Sequence, residues 1–177
     1  GLGLVQRTAR GVHVGHEDDK AVARHHREME WTQRISRAFE ENRFILYYQP
    51  IQALAEDDDK RPYGEVLMRL QDVDGRLIAP HAFIPAAERY SLMPTIDRWV
   101  VRTTIGKLRE AQGPADEPPF RCAINLSGQS LTDEHFLDFV LNQFHDCDVP
   151  GESVCFEITE TAAITNLNRA RVFIATL

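Results

Sequence analysis

The chain has 177 residues, 43% of them hydrophobic and 27% charged, with a formal net charge of −7. That is a globular composition sized for one domain of about 100–200 residues. The acidic balance argues against unaided binding to duplex nucleic acid, and no apolar run approaches the roughly 20 residues of a membrane helix.

Residues 1–15 show no period and read as an N-terminal arm or the remnant of a preceding domain. Gly1-Leu-Gly-Leu-Val5 lacks the basic start of a signal peptide, so the expected location is cytoplasmic with no membrane contact. Residues 16–40 hold no Gly or Pro. Their patchy apolar stripe, ending in Trp31, Ile35, Ala38 and Phe39, predicts a long helix that docks by its C-terminal end.

Phe44 to Tyr48 is a continuous apolar run that predicts a buried strand. Glu56 to Asp59 reads as an exposed turn. Tyr63 to Leu70 predicts a second strand, closed by a turn at Asp72-Val-Asp-Gly75. Helical patterns cover Pro80 to Tyr90 and Pro94 to Gln112. Residues 113–119 are a loop before a strand from Phe120 to Asn125. Thr132 or Asp133 is the expected cap of a helix reaching His145, followed by a strand at Val154 to Ile158 and a helix from Leu167. This alternation predicts an α/β fold with a parallel sheet and helices packed outside it, as in half of a (β/α)₈ barrel.

The three cysteines form no C-x-x-C pair, which argues against a disulfide framework or zinc ribbon. Cys122 and Cys155 lie in apolar strands and are expected in the core.

Function in such folds gathers at the carboxyl ends of strands. Gln49, Asn125 and Glu157 end three of the predicted strands, and Glu65 lies within a fourth. An isolated buried carboxylate is costly; one divalent cation would satisfy Glu65, Asn125 and Glu157 together. Three oxygen ligands suit Mg2+ or Mn2+ and not zinc. Taken singly, each residue also has an ordinary reading. Glu65 pairs with Arg69, Asn125 serves a turn, Gln49 closes a strand, and Glu157 and Glu160 are solvated.

Six segments in order carry a resemblance: Phe44-Ile-Leu-Tyr-Tyr-Gln-Pro-Ile51, Glu65-Val-Leu-Met-Arg69, Phe83-Ile-Pro-Ala-Ala-Glu88, Asp97-Arg-Trp-Val-Val101, Ile124-Asn-Leu-Ser127 and Glu157-Ile-Thr-Glu160. Together they make residues 41–177 resemble the N-terminal part of an EAL domain, a metal-dependent phosphodiesterase of cyclic di-GMP. The helix over residues 16–40 is similar to the connector of GGDEF–EAL tandem proteins. The resemblance implies a TIM-like barrel, present here as about its first half, and cyclic di-GMP as the ligand. It implies Glu65, Asn125 and Glu157 as metal ligands. Glu65 and Glu160 would be catalytic, with Glu160 steadying a responsive loop. Arg69 would hold a phosphate, and Gln49 and Leu67 would line the groove. Val66 stands where the family usually has Ala. The family's paired aspartates and catalytic lysine fall beyond Leu177, so the isolated chain is expected to be inactive. A non-catalytic receptor and a dimerising signalling module are the alternatives. An open half-barrel edge leads to an expectation of self-association.

Overall fold

A computed structural model describes residues 29–54, 61–112 and 120–177. The expected arm over residues 1–15, residues 16–28 of the expected long helix, the expected turn at Glu56 to Asp59 and the expected loop over residues 113–119 lie outside the described residues. The elements are helix α1 over residues 29–40, strands β1 (Phe44–Ile51), β2 (Tyr63–Gln71) and β3 (Leu77–Ile78), helices α2 (Ile84–Arg89) and α3 (Met93–Ala111), strand β4 (Arg121–Leu126), helices α4 (Gly128–Thr132) and α5 (Phe136–Cys147), strand β5 (Val154–Ile158), and helices α6 (Glu160–Thr165) and α7 (Leu167–Thr176).

The main sheet runs β1-β2-β4-β5, with β3 paired on β2. β2, β4 and β5 are parallel, as the alternating pattern predicts. β1 is not: it runs antiparallel to β2, from Phe44 opposite Leu70 to Ile51 opposite Tyr63. No helical pattern separates Ile51 from Tyr63, so no crossover brings the chain back for a parallel neighbour. The β2–β3 hairpin turns where predicted. Gly75 has φ +81°, and Asp72 Oδ1 accepts from the N–H groups of Asp74 and Arg76.

One face of the sheet is packed and the other is open. Val66, Met68 and Leu70 of β2 and Cys122, Ile124 and Leu126 of β4 are buried. They meet Ile96, Val100, Val101, Ile105 and Leu108 along α3, with Val140 of α5 and Phe173 of α7 in the same core. Fully burying each of these larger side chains contributes about 1.5–3 kcal/mol. Residues two apart share a face of a strand, and the alternate set of β2, from Tyr63 to Arg69, stays half-buried.

The chain leaves α1 through a turn at Asn42, whose φ of +53° suits Asn better than a branched residue. Arg43 N–H then bonds the carbonyl of Ala38. The helix is docked by its last turns, as expected: Phe39 lies against Phe44 at a ring distance of 4.6 Å, and Phe44 against Trp99 at 5.5 Å.

Three local expectations change. β1 is an edge strand, so only Phe44 of its apolar run is buried, and Tyr47 is 45% exposed. Cys122 is in the core, but Cys155 points to the open face and is exposed. The expected cap at Thr132 or Asp133 gives way to a two-helix arrangement. Ser127 caps the short α4, and α5 begins only after His135. Asp133 lies between them, paired with Arg98 at 2.7 Å.

Candidate functional site

The open face gathers the residues with chemical potential. Strand register sets their places, because directly paired residues share a face. Gln49 pairs with Glu65, Glu65 with Ala123, and Ala123 with Cys155. One pleat further along, Tyr47 pairs with Leu67, and Asn125 pairs with Glu157. Arg69 lies a further pleat on, opposite Ile45. All six side chains expected to bind ligand or metal from the strands therefore face the same side.

Contacts tie part of this set together. Asn125 Nδ2 donates to Glu65 Oε1 at 2.5 Å. The ordinary reading of Glu65, a pair with Arg69, is not what forms. Arg69 Nη1 instead donates to the carbonyl of Met68 at 2.8 Å, and its guanidinium lies 5.9 Å from the Tyr47 ring centroid. Glu157 shares its surroundings with Tyr63. Burial, then the neighbouring Cys155 and Glu157, pushes the Tyr63 phenol up to about 12.

Two placements differ from the strand-end rule. Gln49 is near the carboxyl end of β1, but β1 is antiparallel, so that end lies level with the start of β2. It still borders Glu65. Glu160 is off the strand face altogether, at the first position of α6, where Thr159 caps the helix by accepting from Ala162 N–H. An acidic residue in a first helical turn complements the exposed N–H groups there.

Leu67 and Asn125 border a cleft of about 340 Å³, whose wall includes Ile84 and Glu88 of α2 and Asp97 of α3. Asp97 is the residue that sequence reasoning passed over. It was legible only as part of a short segment, yet it sits on the inward stripe of α3 with Val101, Thr104 and Leu108. A charged residue on an apolar helix stripe was the available signal. Its carboxyl is shifted upward, chiefly by burial, against the opposing pull of hydrogen bonds from Ser130 and Ser127.

The donor set is two carboxylates and an amide oxygen, all hard ligands, which fits Mg2+ or Mn2+. Glu65 and Asn125 are already in contact, though the amide must turn its oxygen inward to serve as a ligand. Among the described residues no three His, Cys, Asp or Glu side chains form a metal-binding group by themselves. No helix among the described residues is long and apolar enough to cross a membrane.

Residues 32–177 match the EAL domain family. The chain is 42% identical over 160 residues to the cyclic di-GMP phosphodiesterase PdeB of Shewanella oneidensis, covering 89% of this chain and 18% of that protein. It is 33% identical over 139 residues to the cyclic di-GMP phosphodiesterase PdeF of Escherichia coli, covering 78% of this chain and again 18% of the relative. The FimX EAL domain of Pseudomonas aeruginosa bound to c-di-GMP superposes with a TM-score of 0.73 at 30% identity, covering 82% of this chain and 58% of that one. The architecture is accordingly mixed α/β of the TIM-like barrel type, with an open sheet over the part this chain spans.

Proposed function

The chain belongs to the EAL domain family, and from that premise we propose that the protein carrying it hydrolyses cyclic di-GMP to linear pGpG with Mg2+ or Mn2+. The observation that carries the proposal is the contact of Asn125 with Glu65, with Glu157 beside Asn125 on the same face. The chain spans 18% of the curated relatives it matches. The activity is therefore assigned to the whole protein, and the 177-residue chain alone is expected not to turn over substrate.

Glu65, Asn125 and Glu157 would hold the cation. When bound, the cation supplies a water nucleophilic at neutral pH and relieves charge on the phosphoryl oxygens. The chain's own groups do the positioning. Arg69 presents a planar donor fork suited to a phosphodiester, its orientation held by the Met68 carbonyl and the Tyr47 ring. Leu67 and Gln49 flank the metal-side carboxylate, Leu67 two residues along β2 on the same face and Gln49 across the β1–β2 ladder. Glu160 would steady the start of α6, directly after the strand that bears Glu157.

A receptor reading has one observation in its favour. The Asn125 amide donates to Glu65, so the protein's own groups hold these two side chains together on the face where a ligand would lie. Supplying cyclic di-GMP with Mg2+ or Mn2+ to the whole protein and resolving the products by chromatography separates the two. Linear dinucleotide that disappears in Glu65→Gln supports hydrolysis. Tight binding with intact ligand recovered would replace the phosphodiesterase by the receptor, and no binding at all would sink both.

A further inference from the structure

Asp97 is 3% exposed, and its neighbours on α3 include Ile96, Val100 and Val101, all buried and apolar. Stability alone would favour another apolar residue there, since burying a carboxylate costs more than its hydrogen bonds return. What Asp97 gains is a grip on a distant turn. A single oxygen, Oδ2, accepts from Ser127 N–H at 2.9 Å and from Ser130 Oγ at 2.6 Å. Ser127 in turn caps α4, its hydroxyl accepting from Ser130 N–H. These donors begin two residues after Asn125.

The strand ladder explains why that grip matters. Pairing of β4 with β2 ends at Val66 opposite Ile124. Asn125 is one residue past it and is paired only with Glu157 of β5. On the side of β2 no ladder holds it, so its position against Glu65 is shared between the β5 ladder, which continues to Leu126 opposite Ile158, and the turn that follows Leu126. Asp97 fixes that turn to α3. Gln129 ties the same short helix to α2 by donating to the Glu88 carbonyl at 2.5 Å.

We propose that Asp97 is a positioning residue: by clamping the β4–α4 turn at Ser127 and Ser130 it presents the Asn125 side chain to Glu65. The clamp is a statement about geometry, and its effect on metal and substrate rests on the ligand-site reading above.

The test compares the whole protein with its Asp97→Ala, Asp97→Asn and Ser130→Ala variants. Melting curves establish that each is folded. Deuterium exchange over residues 126–131 reads the clamp, Mn2+ titration without substrate reads the site, and cyclic di-GMP kinetics follow. Asp97→Ala is expected to speed exchange at residues 126–131 by about tenfold or more while leaving β4 up to Ile124 protected. Mn2+ affinity should fall about ten- to hundredfold, with the loss in kcat and little change in KM. Asp97→Asn keeps an acceptor oxygen and should stay within about threefold of the parent, a rescue that a merely space-filling role would not give. Ser130→Ala removes one donor and should fall between the two, and it decides the matter if Asp97→Ala does not fold. A folded Asp97→Ala with exchange and Mn2+ affinity within about twofold of the parent overturns the proposal, as does an equally folded Asp97→Asn that is just as impaired. If the unaltered protein binds neither Mn2+ nor cyclic di-GMP, the ligand reading fails, and exchange at residues 126–131 still decides the clamp on its own.

Discussion

The amide of Asn125 donates to the carboxylate of Glu65, joining two residues 60 positions apart on adjacent parallel strands. Both are at the open face, so this bond adds little to the packed core. Replacing Asn125 by Ala is expected to cost under about 1 kcal/mol in denaturant unfolding, because the group is exposed. The same change should weaken Mn2+ binding by about tenfold or more. A variant that binds Mn2+ as the parent does would remove Asn125 from the ligand set.

Gly64 lies beneath the Tyr48 ring. A Cβ added there would come within 2.5 Å of Tyr48 Cζ and 2.6 Å of the Gln49 carbonyl. Tyr48 is held in place by Phe120, at a ring distance of 5.1 Å, and by its hydroxyl donating to the Arg121 carbonyl at 3.2 Å. Backbone cannot yield as a flexible side chain does, so Gly64→Ala is expected to destabilise by about 1–3 kcal/mol. Thermal unfolding measures it, and an unchanged midpoint would show that β1 moves freely against β2.

Arg69 is expected to read phosphate through its planar fork. Arg69→Lys keeps the charge but loses paired donation, and should bind cyclic di-GMP about tenfold or more weakly in calorimetry. Equal affinity would mean that a point charge suffices there.

Two carboxyls should move stability with pH in opposite directions. Burial raises the Asp97 carboxyl in the folded state, so the folded protein binds a proton there more readily than the unfolded chain. Relative to Asp97→Asn, the parent should gain stability as pH falls from neutral through that raised value towards the ordinary carboxyl range. Asp133 is lowered, first by its hydrogen bond with Arg98. Its contribution is present above the ordinary carboxyl range and is lost as pH falls through the lowered folded value. Urea unfolding of parent, Asp97→Asn and Asp133→Asn from pH 7 to 3 reads both slopes, and slopes of the same sign would refute the assignment.

Phe83 is wholly buried and contacts both Trp31 of α1 and Phe44 of β1, each at a ring distance of 6.2 Å. Phe83→Ala is expected to cost about 3–5 kcal/mol and to release α1, seen as a red shift in Trp31 fluorescence once Trp99 is replaced by Phe. Loss of stability without that shift would mean that α1 is held by Phe39 and Ile35 alone.

The strand and helix alternation after residue 43 and the turn at Gly75 were legible in the chain, because they follow from local periodicity and turn chemistry. Direction and depth were not. β1 has the apolar run of a buried strand, and only its pairing with β2 makes it an antiparallel edge. Cys155 reads like Cys122, and only the open side of the sheet separates their fates. Asp97 reaches residues 30 and 33 positions away. Side-chain period fixes which residues travel together, whereas partners, strand sense and burial arise from contacts between segments that no local pattern encodes.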